Sequence, residues 1–265
     1  MTRTTGIIIG IFITVAVLGL ALLAYIWFSG GSAAPSATLS VPTLAIITNQ
    51  ATTSPTKIPL GEATVEPLAA ATAEMTTTAN SAQSNLRVFN ISSDQSKVSF
   101  TVGEVLNGSP NSVVGTTNQV AGQFAVDFTN PANSQIGEIR IDARTLATDS
   151  ELRDRTIRGQ ILQSSQDQFE FISFKPTAIT ELPATVTMGQ SFAFQVTGDL
   201  TIRDVTKPAT FDVTVTPDSQ TKIRGSATAV IGRSDFNLTI PNVPNVASVD
   251  EAVELNIDFV ATAAT

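Results

Sequence analysis

The chain has 265 residues and a formal net charge of −8 at pH 7, and it contains neither cysteine nor histidine. Without cysteine there is no disulfide framework and no thiolate nucleophile, and without histidine the commonest general base and metal ligand is missing. The acidic balance argues against nucleic acid as a partner, because phosphate binding requires a basic surface.

The first predicted element is a single transmembrane helix over residues 7–28, a stretch without charged side chains. About 20 apolar residues span the hydrocarbon of a bilayer. Arg3 precedes the stretch and the next basic residue is Lys57, so the positive-inside rule places residues 1–6 in the cytoplasm. We therefore expect a single-pass protein of the cell membrane whose remaining chain is extracytoplasmic, either periplasmic or at the cell surface. A cleaved signal peptide is the alternative, but its apolar core is usually about 7–15 residues long, and Pro35 suits the candidate cleavage site poorly.

Residues 29–85 form the second predicted region, a linker rich in Thr, Ala, Ser and Pro. The linker shows no sustained period of 2 or 3.6 residues, and such a composition buries too little apolar surface to offset the entropy of ordering. We expect a disordered stalk, which as a flexible coil would span about 40 Å on average.

Residues 86–265 form one predicted domain, in which eight runs alternate between apolar and polar positions. This alternation is typical of strands with one face out of water. The runs lie at residues 97–102, 120–128, 136–143, 168–174, 191–202, 211–215, 223–231 and 253–259. One stretch, 149–162, has the apolar spacing of a short helix. Eight antiparallel strands form a closed barrel or a two-sheet sandwich, and Gly198 and Gly225 inside strand patterns favour the tight bends of a barrel. We predict an all-β fold, an antiparallel eight-stranded barrel with one short helix.

The side chains predicted to face the interior of this barrel share the apolar phase of the eight runs. They are Phe100, Val102, Phe124, Val126, Phe128, Ile139, Ile141, Phe169, Phe171, Phe192, Phe194, Leu200, Phe211, Val213, Leu255 and Ile257. An eight-stranded barrel is either filled by its side chains or hollow enough for one small ligand. The pattern alone leaves both alternatives open.

Six segments carry a resemblance to a known family. In chain order they are "KVSFTVGE", "VAGQFAVDF", "IDARTLATDSELRDRTIRGQIL", "FEFISFKPTAI", "VTGDLTIRDVTKPATFDVTV" and "GRSDFNL". Together they resemble the YceI-like family over Leu86 to about Ala264. Asp204, Asn237 and the Phe169–Glu170 pair depart from the family pattern, at turns and strand entries.

The resemblance implies an extended lipocalin-like antiparallel barrel whose interior holds an amphiphilic polyisoprenoid. By this resemblance the domain binds, carries or sequesters an isoprenoid lipid, polyprenyl or quinone-like, in its apolar interior. It implies no reaction, so we assign no catalytic residue, no metal site and no cofactor other than a bound isoprenoid lipid.

Three arginines are candidates for contact with the lipid head group: Arg153, Arg155 and Arg158. Arginine suits bidentate phosphate recognition. The alternative is that Glu151–Arg155 and Asp154–Arg158 form ion pairs four residues apart on a helix surface and so neutralise these charges.

Two other polar groups are given structural roles. Arg203, Asp204 and Lys207 occupy a hairpin connection, and we expect them to form a solvated rim. Ser234 has no histidine to activate it as a nucleophile.

The alternative function is a non-enzymatic surface interaction or adhesion module with a filled barrel or a sandwich. The scarcity of Tyr and Trp weighs against it. An enzymatic function would require a buried carboxylate with a strongly perturbed pKa. The sequence leaves the oligomeric state open, a dimer included.

Overall fold

The computed structural model describes residues 33–36, 39, 43–44, 85–242 and 245–264. The predicted transmembrane helix, residues 7–28, lies outside the described residues, as does most of the predicted linker, 29–85. Within the described part of the chain, no helix has both the length and the apolar character needed to cross a bilayer.

The described residues contain twelve strands, all in one sheet with antiparallel pairing. The strands are β1 (Arg87–Ile91), β2 (Lys97–Leu106), β3 (Ser109–Thr117), β4 (Val120–Ala121), β5 (Gln123–Val126), β6 (Gln135–Ile136), β7 (Ile139–Asp142), β8 (Phe171–Thr180), β9 (Phe192–Ile202), β10 (Val205–Ser219), β11 (Lys222–Gly232) and β12 (Val246–Ala263). One short helix, α1 (Glu151–Thr156), continues into a π-helical turn, Ile157–Ile161.

The number of strands differs from the eight predicted, because two predicted runs are divided, 120–128 into β4 and β5 and 136–143 into β6 and β7, and because β1 and β3 lie outside the predicted runs. A 3₁₀ turn at Ser93–Gln95 separates β1 from β2, although both strands pair with β12. Gly122 separates β4 from β5. Alternation of apolar residues reports which face of a strand is buried, but not where its hydrogen bonds are interrupted.

The sheet closes on itself to form a lipocalin-like barrel rather than a sandwich. Neighbouring strands follow the order β4, β7, β8, β9, β10, β11, β12, β1, β5 and β6, and β2 and β3 form a branch in which β2 pairs with β12. The ring closes because β4, which pairs with β7, and β5, which pairs with β1, are separated in the chain only by Gly122. Outside this ring, β3 pairs only with β2, so one of its edges is largely unpaired.

The two ends of the barrel are built differently. At one end, here called the cap end, the turn between β9 and β10 meets residues 143–170, which connect β7 to β8 and are called the cap segment. At the opposite, loop end lie the β10–β11 turn and two longer connections, 127–134 and 181–191.

Gly198 shows why the predicted glycine position matters. A Cβ atom there would collide with the carbonyl oxygen of Lys175 and would lie 2.8 Å from the Cα of Pro176. The register of β8 against β9 shifts between Pro176 and Ala178. The missing side chain therefore lets the two backbones approach where β8 bends.

Candidate ligand-binding cavity

The barrel encloses a cavity of about 210 Å³. Its wall runs from Leu146 in the cap segment to Leu182 and Val186 in the connection at the loop end. An engineered apolar cavity of about 150 Å³ remains dry and binds benzene. The interior is therefore hollow on the scale of a small hydrocarbon.

The structure places thirteen of the sixteen predicted interior residues on the cavity wall. They are Phe100, Phe124, Val126, Phe128, Ile139, Ile141, Phe192, Phe194, Leu200, Phe211, Val213, Leu255 and Ile257. These residues come from six different strands and the loop after β5, and barrel closure brings them together. Whether they contact a ligand remains a prediction.

Phe169 and Phe171 do not line the cavity. Phe169 belongs to a 3₁₀ turn before β8, and β8 begins only at Phe171. Ile172 and Phe174 form the wall instead, so the inward phase of β8 is opposite to the predicted one. The alternation was extended through a turn, in which side chains do not keep a period of two residues.

Val102 is also absent from the wall. It continues the inward phase of Val98 and Phe100 along β2, and it pairs with Val113 and Val253. The register of β12 shifts between Val249 and Val253, so β2 is paired irregularly beyond Val102. The regular part of the wall therefore ends near this residue.

The sequence pattern missed wall residues that belong to loops. Pro131 follows β5, and Leu182 and Val186 lie between β8 and β9. Loop residues show no periodicity, so only their apolar character in otherwise polar segments could have indicated them.

Aromatic rings form part of the packing around the cavity. The Phe174 and Phe211 rings meet edge to face with centroids 4.8 Å apart. The Phe124 ring stacks on Phe89 at 5.8 Å and meets Phe259 edge to face at 6.1 Å. Such pairs contribute about 0.5–1.5 kcal/mol each beyond the area they bury, so they stiffen the wall.

Of the described residues that form the wall, none is charged and three are polar: Ser99, Ser134 and Gln135. Ser134 is the last residue of the connection 127–134 at the loop end, and Gln135 begins β6. Moving an unpaired charge into such an environment is strongly unfavourable, whereas hydrocarbon enters favourably. The interior therefore suits an uncharged, mostly apolar molecule.

The loop before Ser134 is organised by the buried carboxylate of Asp127. One carboxylate oxygen accepts hydrogen bonds from the backbone N–H groups of Thr129 and Asn130, both at 2.9 Å, and from the Thr129 hydroxyl at 2.6 Å. The other accepts from the Asn133 amide at 3.1 Å. Burial raises the pKa of Asp127, but these hydrogen bonds outweigh burial and lower it to about 2.

The three arginines predicted to contact a head group lie at the cap end, outside the cavity wall. Arg153 pairs with Asp149 and, at 3.4 Å, with Glu104. The predicted pair of Arg155 with Glu151, residues four apart, is present at 3.6 Å.

The predicted Asp154–Arg158 pair is absent. Asp154 instead accepts hydrogen bonds from the backbone N–H and the hydroxyl of Thr148, both at 2.7 Å. Arg158 donates to the carbonyl of Arg144 at 3.2 Å. The chain is π-helical from Ile157, so the spacing that aligns residues four apart on an α-helix ends before Arg158.

The prediction that Arg203 belongs to a solvated rim is wrong. Its side chain is only 15% exposed and donates a hydrogen bond to the carbonyl of Ile161 at 3.1 Å. Asp204 and Lys207 are exposed, as predicted for a hairpin connection. Arg203 therefore joins the β9–β10 turn to the cap segment.

A buried carboxylate with a perturbed pKa is present, but it lies outside the cavity wall. Burial raises the pKa of Asp142, the backbone N–H of Arg144 lowers it by a 2.8 Å hydrogen bond, and the Glu170 charge raises it further. Asp142 thereby fixes the turn that starts the cap segment. Within the described part of the chain, no three acidic residues converge as a metal site.

A closed antiparallel barrel around an uncharged hollow defines the class of this protein as a lipocalin-like barrel. The family model of the YceI-like domain matches residues 89–261, and the chain belongs to this family.

Two solved structures share the fold. BcnA of Burkholderia cenocepacia is 22% identical with a TM-score of 0.52, and the match covers 65% of this chain and 99% of BcnA. A polyisoprenoid binding domain from Saccharophagus degradans, implicated in plant cell wall breakdown, is 13% identical with a TM-score of 0.52, over 66% of this chain and 98% of that domain. None of the curated protein sequences matches the chain significantly.

Proposed function

We propose that the barrel binds an isoprenoid lipid, polyprenyl or quinone-like, and carries or sequesters it with the prenyl chain inside the cavity. The observation that carries this proposal is the uncharged wall of the 210 Å³ hollow, which extends from the cap segment to the loop end. Membership of the YceI-like family and the similarity to a polyisoprenoid binding domain support the same ligand class. No catalysis is part of the proposal.

The driving force is burial of hydrocarbon. Each buried CH₂ group contributes about 0.8 kcal/mol, so one five-carbon isoprene unit contributes up to about 4 kcal/mol before the costs of association. The hollow holds a short part of such a chain. A longer chain makes room by rotamer changes of wall side chains such as Phe192 and Phe128, which are only partly buried.

The wall also restricts the head group. A neutral quinone-like ring can lie within reach of Ser134 and Gln135, whereas a phosphate must stay outside the uncharged interior. At the cap end, Arg158 has no carboxylate partner among the described residues. It is the one of the three candidate arginines that remains available for an anionic group.

The test is lipid extraction from the full-length protein purified from its membrane fraction, followed by mass spectrometry. Ala227→Trp introduces a large side chain into the hollow, because Ala227 lies on the wall between Val213 and Ile257. The matched control is Val230→Trp, at an exposed position of the same strand. We expect prenyl lipid with the parent chain and with Val230→Trp, and at least tenfold less with Ala227→Trp. Equal lipid in the two variants, or none with the parent chain, would contradict the proposal.

We also propose that residues 7–28 anchor the protein in the cell membrane as a single span, with the barrel on the extracytoplasmic side. The support is the uncharged apolar stretch and the distribution of basic residues around it. Replacing Val17 and Leu18 by arginine adds roughly 5–7 kcal/mol to the insertion free energy. The double variant should leave the membrane pellet after carbonate extraction, and its continued retention would argue against this anchor.

A further inference from the structure

The N-terminal segment contacts a buried ion pair of the cap end. The carbonyl of Ala34 accepts a 3.2 Å hydrogen bond from the Arg144 guanidinium, and the backbone N–H of Ser36 donates a 2.7 Å hydrogen bond to Glu170. Arg144 and Glu170 lie 3.2 Å apart, with side chains only 5% and 6% exposed. The segment thus supplies backbone partners to two buried charged groups.

A second contact lies farther along the segment. The backbone N–H of Leu44 donates to the Gln123 side chain at 2.9 Å. The Leu44 side chain covers Gly137, where a Cβ atom would lie 3.3 Å from its Cδ1. Gly137 lies between β6 and β7, so Leu44 packs against the break between these two strands.

The composition of residues 29–85 predicts a disordered stalk, whereas Ala34, Ser36 and Leu44 form hydrogen bonds with the barrel. Hydrogen bonds to charged groups contribute more than neutral ones, and a buried charged group that loses a partner carries the full cost of desolvation. Arg144 also donates to the carbonyl of Ser164 and to Asp167, so the pair is already held in place before the segment docks. A preorganised site of this kind lowers the entropy lost on docking.

We propose that Ala33–Ser36 and Leu44 are the two attachment points of a strap, which holds the N-terminal segment against the outside of the barrel. The first attachment point then lies only five residues beyond the end of the proposed membrane span, residues 7–28. The chain from residue 28 to residue 33 reaches at most about 18 Å, compared with about 40 Å for a free coil over 29–85. Given the membrane anchor of the proposed function, the strap holds the cap end towards the bilayer and the loop end away from it.

The docking itself is tested by the distance between two spin labels on the full chain. The chain has no native cysteine, so Ala33→Cys and Gln220→Cys label the strap and the exposed β10–β11 turn selectively. The test variant is Ser36→Pro, which removes the N–H that Glu170 accepts. The matched control is Thr43→Pro, which also creates a Pro-Pro pair but at a backbone N–H without a hydrogen bond to any described residue.

We expect a narrow distance distribution for the parent and for Thr43→Pro. Loss of a hydrogen bond to a buried charge should reduce the docked population relative to the undocked one by at least about tenfold, so Ser36→Pro should give a broad distribution. A broad distribution in the parent would overturn the proposal. Equal narrowness in all three proteins, or equal broadening by both prolines, would overturn the role of the Ser36–Glu170 bond.

Orientation is tested separately in proteoliposomes that contain head-group-labelled quencher lipid. A fluorophore at Asp204→Cys, near the cap segment, should be quenched at least twofold more than one at Gln220→Cys, and Ser36→Pro should abolish the difference. Equal quenching in the parent would overturn the orientation. Failure of the protein to insert would remove the proposed anchor while leaving the label distances valid, and lipid content by mass spectrometry reports the cavity independently of both.

Discussion

Two buried aspartates, one at each end of the barrel, have pKa values that are shifted in opposite directions. Asp127 at the loop end and Asp142 at the start of the cap segment are each 3% exposed. Four hydrogen bonds bring the pKa of Asp127 down to about 2, whereas burial and the nearby Glu170 charge raise the pKa of Asp142. Burial raises the pKa of both carboxyls, but the hydrogen bonds outweigh it at Asp127 and do not outweigh it at Asp142.

The difference sets opposite pH dependences for the two ends. A carboxyl whose pKa is lowered by folding stabilises the fold above its unfolded value of about 3.9, and this stabilisation is lost as the pH falls towards about 2. A carboxyl whose pKa is raised destabilises the fold progressively as the pH rises above that unfolded value. Mildly acidic pH should therefore stabilise the cap end, and only strong acid should destabilise the loop end.

The largest expected effect comes from removing the cation of the cap end. Arg144→Met leaves Glu170 and Asp142 buried without their shared counter-charge, which should lower the free energy of unfolding by about 3–5 kcal/mol. Urea denaturation at pH 7 measures it. The control is Arg155→Met, whose half-exposed pair with Glu151 should contribute no more than about 1 kcal/mol. A loss below 1 kcal/mol for Arg144→Met would show that the buried Glu170 and Asp142 do not depend on this charge.

The next largest expected effect is a loss of stability in the cavity wall. This loss should not depend on pH, because the wall lies between the two ends that carry the titrating aspartates. Leu200→Ala removes a side chain that is 3% exposed and lines the cavity, at an expected loss of about 3 kcal/mol. The loss should be the same at pH 4 and pH 7 in urea denaturation. Asp199→Ala, at the neighbouring exposed position, should be close to neutral. If the stability loss of Leu200→Ala depended strongly on pH, the packing of the wall would be coupled to the titrating groups at the two ends.

At the loop end, Asp127→Ala leaves the Thr129 and Asn130 backbone N–H groups without their acceptor, and we expect a loss of about 2 kcal/mol. Asp127→Asn retains an oxygen for these donors and should cost less. Both variants should lose the acid-dependent fall in stability below about pH 4 that the parent owes to this group. Parallel stability curves for parent and variants between pH 2 and pH 5 would contradict the assignment.

The smallest effect is expected for Asp142→Asn. The amide oxygen can still accept from the backbone N–H of Arg144, and the unfavourable burial of a charge is removed. Stability at pH 7 should be unchanged or slightly higher, and its dependence on pH between 4 and 7 should become flatter. A loss of more than 1 kcal/mol at pH 7 would indicate that the charged form is required.

The sequence predicted the wall much better than the ends, for a physical reason. Phe192, Phe194 and Leu200 share one phase of a long strand, and local alternation suffices to place them inward. The same alternation predicted that Phe169 and Phe171 face inward, but neither lies on the cavity wall, because a turn precedes the strand there.

The cap end could not be predicted because its contacts join residues that are distant in the chain. Arg144 depends on Ala34, Ser164 and Glu170, and no periodic pattern relates these positions. The low exposure of Arg203 has the same cause, since its partner Ile161 belongs to another segment. Short-range patterns report faces of elements, whereas ion-pair clusters depend on how the elements meet.

Strand β12 has a consequence for the order of assembly. It pairs with β11 along one edge and with both β1 and β2 along the other, and it joins Phe89 to Ala263. The hairpins of β9, β10 and β11 can form early from local contacts, but the ring stays open until β12 joins its distant neighbours. Until then the apolar inner face is exposed to solvent and prone to aggregation. The hollow therefore exists only once β12 has paired with these neighbours, so a lipid either is enclosed as the ring closes or enters a finished barrel.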